Sequence, residues 1–126
     1  MLSFEDKFEI TELAARYNHA IDTADGDGWA ATFTEDGVFA PPGSTVTGHE
    51  ALAAYARDGA DPRKRHWTNN LVIDGDGDEA TLRCYLHLML VGAPGVETVV
   101  TGRYSDRLRR VDGRWRFARR ELEIDR

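Results

Sequence analysis

The chain is poor in the residues and patterns that mark several large functional classes. Cys84 is its only cysteine among 126 residues, so no internal disulfide can form and a cytoplasmic setting is favoured. No apolar run approaches the roughly 20 residues that a membrane-spanning helix needs. The start, Met1 to Lys7, lacks the basic-then-apolar pattern of a signal peptide. One cysteine cannot build a zinc cluster, and no His-x-x-x-His pair occurs. Glycine-rich phosphate loops and nucleophile elbows are absent too. The net charge of −6 argues against non-specific nucleic-acid binding.

Two acidic runs mimic a calcium loop and fail on spacing. Asp74-Gly75-Asp76-Gly77-Asp78 would need a glutamate at its twelfth position, which is Tyr85. Asp25 to Asp36 has acids at both ends but Trp29 at the fifth. The expectation is therefore no metal, and chemistry without a cofactor.

What is present suits one ordinary domain over residues 1–126. Hydrophobic residues make up 41% and charged residues 30%, enough for a single core. Charge is uneven. Residues 1–36 carry nine acids and two bases, whereas residues 103–126 carry nine arginines and five acids. In that tail the arginines alternate with Trp115, Phe117 and Leu122, the pattern of a strand with one solvated face rather than a nucleic-acid strip.

Ser3 followed by Asp6 resembles a helix start. Ile10, Leu13, Ala14, Tyr17, Ala20 and Ile21 then fall on one helical stripe. Phe4 and Phe8 lie on the opposite side, a face available to a partner subunit. Asp25-Gly26-Asp27-Gly28 ends this helix. A short helix is expected at Trp29–Phe33, a strand at Val38–Ala40, another at Thr45–Thr47, and a third helix at His49–Arg57. After Asp61-Pro62 the pattern turns to strands, at His66–Ile73, Ala80–Val91, Glu97–Arg109 and Arg114–Ile124. Turn signals separate them, including Asp112-Gly113. Helices first and a meander of strands after imply an α+β fold.

Among the polar residues, His66 is the one that titrates near neutral pH at the head of an apolar strand. By alternation His66, Thr68, Asn70 and Val72 share a strand face. Arg83, Tyr85, His87 and Met89 share a face of the next strand. If that face is inward, Tyr85 and His87 reach a cavity near His66; if outward, they form an oligomer surface. Trp115, Phe117 and Arg119 share a face of the last strand, with Arg119 either binding a substrate anion or pairing with an acid. His49, after Gly48, suits capping or exposure.

The layout and several strings resemble the SnoaL-like branch of the nuclear transport factor 2-like superfamily, over nearly the whole chain. The strings are Leu13-Ala14-Ala15-Arg16-Tyr17 followed by Asp22, Phe33 to Phe39, and Thr47-Gly48-His49-Glu50-Ala51-Leu52. Arg65-His66, Gly102 to Leu108 and Asp112 to Phe117 complete the set. The resemblance implies a cone-shaped fold, three helices on a curved, mostly antiparallel sheet that encloses an apolar pocket. Relatives include polyketide cyclases, ketosteroid isomerases, scytalone and bile-acid dehydratases, ring-hydroxylating dioxygenase small subunits and non-catalytic binders, so fold alone does not decide activity.

In the dehydratase relatives a helix tyrosine, an aspartate five residues later and a strand histidine belong to the active site. The resemblance carries these roles to Tyr17, Asp22 and His66. His66 would be general base and then general acid, Asp22 would orient it, and Tyr17 would polarise a substrate oxygen. Trp29, Asn70, Tyr85, His87, Trp115 and Arg119 are the candidate substrate contacts. The expected ligand is a small apolar oxygenated molecule, such as a steroid- or polyketide-like ketone, bound by a homodimer or homotrimer. A non-catalytic binding domain and a dioxygenase-like small subunit are the alternatives.

Overall fold

Ser3 opens the first helix as a reciprocal cap. Its hydroxyl accepts from the Asp6 backbone at 3.0 Å, and the Asp6 carboxylate accepts from the Ser3 backbone at 3.1 Å. The computed structural model describes residues 1–126, with α1 at Phe4–Asp22, α2 at Gly26–Ala30 and α3 at His49–Asp58. The apolar stripe of α1 is inward: Ile10, Leu13, Ala14, Tyr17 and Ala20 are all buried. Phe4 and Phe8 remain 93% and 68% exposed, as their position on the far side requires. The second helix starts earlier than Trp29 because Asp25 caps it, accepting from the Gly28 backbone at 3.0 Å.

The strands are β1 (Phe33–Ala40), β2 (Val46–Thr47), β3 (Lys64–Asp76), β4 (Glu79–Gly92), β5 (Gly95–Val111) and β6 (Arg114–Ile124). They form one curved sheet in the order β2-β1-β6-β5-β4-β3. All neighbours are antiparallel except β1 and β6, which run parallel. The helices pack on the sheet, and the class is α+β. No helix is long and apolar enough to cross a membrane.

Two irregularities change which side chains face the helices. In β3 the register shifts between Asn69 and Val72, with Asn70 in the left-handed region at φ 57°. The half-buried residues are therefore His66 and Thr68 before the bulge but Leu71 and Ile73 after it. Between β5 and β6 the register shifts at Arg107/Leu108, so Phe117 is inward and the next inward residue is Arg120, not Arg119.

The space between helices and sheet is packed with rings. Tyr17 meets Trp29, Phe33, Tyr104 and Phe117 at centroid distances of 5.4 to 6.1 Å. Trp29 also stacks on Tyr55 at 5.7 Å. Aromatic contacts at these separations add stabilisation beyond their area burial. The apolar interior is thus occupied by side chains, and cavities open at its margins.

Candidate active site

β3 is the last strand of the sheet, so its outward backbone groups have no ladder partner. The end of α1 covers part of this edge. There the Asp22 carboxylate accepts from the His66 backbone N–H with both oxygens, each at 3.1 Å. The same carboxylate lies 2.6 Å from His66 Nδ1. A carboxylate can only accept, so Nδ1 carries the proton and the neutral ring presents Nε2 as a base. The two side chains are 11% and 13% exposed, well sheltered but reachable.

One turn earlier on α1, Asn18 makes a second rung to the same strand. Its Nδ2 donates to Thr68 Oγ1 at 2.9 Å. The spacing of four residues on a helix matches two residues on a strand, about 6 Å and about 6.6 Å along the respective axes. Asn18 is buried, and its Oδ1 has no hydrogen-bond partner. A cavity of about 590 Å³ opens beside both rungs, lined by Asn18, Asp22 and His66 with Thr23, Pro62 and Trp67 among its walls. Its size falls within the usual range for small-molecule sites.

Of the three residues expected to act together, the structure joins Asp22 and His66 and leaves Tyr17 apart. Tyr17 is only 1% exposed, sits among the core rings and does not line the cavity. Burial pushes its phenol well above the ordinary range, with Tyr104 adding to the rise. The residue that reaches the cavity is its neighbour Asn18, because Tyr17 follows the stripe into the core while Asn18 points toward β3.

The expected substrate contacts also separate from His66. Trp29 and Trp115 are fully buried. Trp115 Nε1 donates to Asp6 at 3.1 Å and its backbone N–H donates to Glu9 at 2.6 Å, which ties β6 to α1. Asn70 is exposed at the β3 bulge. Tyr85 and His87 take the outward option: Tyr85 is 54% exposed and His87 Nε2 bonds Thr98 Oγ1 at 2.8 Å. Alternation forces this, since Leu82, Cys84 and Leu86 occupy the inward positions. Arg119 lies outward and donates to Glu121 at 2.7 Å. His49 is exposed at the start of α3, and its Nε2 bonds the Phe33 carbonyl at 2.8 Å.

A second acid–base pair lies in the core. Arg120 Nε donates to Asp106 Oδ1 at 3.1 Å, and both side chains are fully buried. The guanidinium lies 3.5 Å from the Tyr104 centroid and 4.3 Å from that of Tyr17. Burial raises the Asp106 carboxyl to about 6, against the downward pull of Arg120. Burial works against the charge of Arg120, yet Asp106 and the surrounding phenols keep its pKa raised.

The model of the SnoaL-like domain matches residues 3–121. Among solved structures, a single-residue variant of Rv3472, a protein of unknown function from Mycobacterium tuberculosis, superposes with a TM-score of 0.92. It is 43% identical, over 98% of this chain and 73% of that one. A protein from Catenulispora acidiphila in complex with S-DNPA is 30% identical, with a TM-score of 0.84 over 94% of this chain and 92% of that one. A candidate scytalone dehydratase from Novosphingobium aromaticivorans is 25% identical, with a TM-score of 0.81 over 95% and 84%. No curated protein matches this chain.

Proposed function

From the premise that the chain belongs to the SnoaL-like domain family, we propose that it is a cofactor-free acid–base enzyme of the dehydratase type, with isomerisation and cyclisation open to the same parts. The single observation that carries this reading is the Asp22–His66 pair at the wall of a small-molecule-sized cavity. Asp22 fixes the ring and its tautomer, and stabilises the imidazolium once it forms. His66 Nε2 takes the proton next to a substrate carbonyl, leaving an enolate. The imidazolium then returns that proton to the β-hydroxyl, the C–O bond breaks, and water leaves as the new C=C bond forms. Charge and atoms balance without a metal or redox partner.

The substrate is a small oxygenated ketone. The polar cavity wall favours a more oxygenated molecule than the apolar steroid-like ligand expected from the resemblance. Tyr17 has a packing role in this scheme. The exposed Phe4 and Phe8 on α1, with Tyr85 on the outer sheet face, support a homodimer or homotrimer.

The test is turnover of 3-hydroxycyclohexanone to cyclohexenone, followed by enone absorbance. His66→Ala should reduce the rate by about 100-fold or more, while the unfolding midpoint in urea stays close to wild type. Binding without turnover in the wild type would favour a non-catalytic domain instead. Loss of folding in the variant would make His66 a structural residue.

A further inference from the structure

On the sheet face turned away from the helices, two rows of outward side chains cross β4, β5 and β6. The ladder sets them in place. Thr81 pairs with Arg107 and Arg107 with Arg119, while Arg83 pairs with Ser105 and Ser105 with Glu121. All six line one open depression of about 330 Å³, which shares no residue with the cavity beside His66. Strands lie about 4.8 Å apart, so Arg107 has Arg119 directly opposite and Arg83 on the diagonal, both within reach of an arginine side chain.

The ion pairs on this face leave its middle unbalanced. Arg103 pairs with Glu123, Arg109 with Asp36, and Arg119 donates to Glu121 at 2.7 Å. Asp106 lies beneath the surface, sealed with Arg120. Asp74, next in the row on β3, forms no ion pair with either remaining arginine. Arg83 and Arg107 therefore keep their charges with no carboxylate oxygen within 4.0 Å. Arg107 also faces Arg119 across the ladder, and like charges placed directly opposite repel. A chain of net charge −6 has acids to spare, yet none neutralises this pair.

We infer that Arg83 and Arg107, with the Ser105 and Thr81 hydroxyls beside them, bind the phosphate group of a small anion. Two guanidinium forks and two hydroxyls supply donors from two adjacent rows rather than from one plane. That arrangement suits a tetrahedral phosphate better than a planar carboxylate. Arg119 adds positive charge at the edge, and Glu121, which holds its Nε, is the one accessible acid among the lining residues.

The probe is inorganic phosphate, titrated into the full chain at neutral pH with ionic strength held constant by sodium chloride. Arginine Nε–H signals are followed by NMR. The Arg83 and Arg107 signals should shift together and saturate at millimolar phosphate, while those of the paired Arg103 and Arg109 stay nearly still. Arg83→Gln and Arg107→Gln should each raise the half-saturating concentration about tenfold. Arg83→Lys, which keeps the charge and loses the fork, should raise it less. Glycerol 3-phosphate separates the two sources of the group: equal affinity marks a site for the free ion, and tighter binding marks the phosphoryl group of a larger molecule. Shifts that grow linearly and alike at every exposed arginine would show a counter-ion atmosphere only and overturn the inference. Acetate binding as tightly as phosphate would overturn it too. Neither result bears on the acid–base reading, whose cavity is separate.

Discussion

Two aspartate-centred pairs lie within the same small fold, and their surroundings give them opposite characters. Asp106 and Arg120 are sealed among Tyr17, Tyr104 and Phe117, with no exposed side-chain surface on either partner. Asp22 and His66 sit at a sheet edge, 13% and 11% exposed, beside a cavity. The first pair has a partner that stays charged and rings that exclude water, so it holds the interior together. The second has an imidazole as partner, with one ring nitrogen left free, so it can move a proton. Burial, rather than the chemistry of aspartate, separates a structural ion pair from a candidate catalytic one.

Breaking the sealed pair should have the largest effect. Asp106→Leu takes every partner oxygen away from Arg120, strands its charge in the core and should cost about 3–5 kcal/mol of unfolding free energy in urea. Adding Arg120→Met should recover part of that loss, since the double variant leaves no unpaired charge. A double variant as unstable as the sum of the singles would show that the two residues do not act as a pair.

The pH dependence sharpens the same contrast. Because burial raises Asp106 from 3.8 to about 6, the native state keeps this proton to higher pH than the unfolded chain does. The associated stabilisation is present below the unfolded pKa and is lost as pH rises through about 6. The stability gap between wild type and Asp106→Leu, which has no carboxyl to titrate, should therefore narrow between pH 3.5 and pH 7. Urea melts across that range test it, and a constant gap would contradict the burial assigned to Asp106.

The smallest effect is expected one residue from the core pair. Arg119 lies outward and pairs with Glu121 on a solvated face. Arg119→Ala should change stability by less than about 1 kcal/mol and leave ketone binding unchanged. A large loss of binding would restore Arg119 to the substrate site and blur the distinction between the two regions.

Much of the fold is legible in the sequence because period and punctuation agree. The α1 stripe, the Ser3 cap, the Asp-Gly turns and the long alternating strands each read locally. The Asp22–His66 partnership was legible only through resemblance, since 44 residues separate the two and no local pattern joins an edge strand to a helix end. The bulges hid the rest. Alternation counted from His66 brings Asn70 inward, and the left-handed residue at the bulge removes it. Alternation counted from Trp115 selects Arg119, and the shifted register of β5 and β6 selects Arg120 instead. Asn18 had a faint signal, four residues before Asp22 and so on the same side of α1, but a polar residue beside an apolar stripe is ordinarily solvated. Tyr17 misled for the opposite reason: its place at the centre of the stripe is what commits it to the core.

The central claim is that Asp22 leaves His66 Nε2 free, as a base, in a cavity that small oxygenated ligands reach. Nitrogen-15 NMR of the His66 ring tests it most directly, in the neutral imidazole state with and without 3-hydroxycyclohexanone. The account predicts a proton on Nδ1, a bare Nε2, and a shift of the Nε2 resonance when the ketone is added. A proton on Nε2, or a ring that does not respond to the ketone, would contradict it.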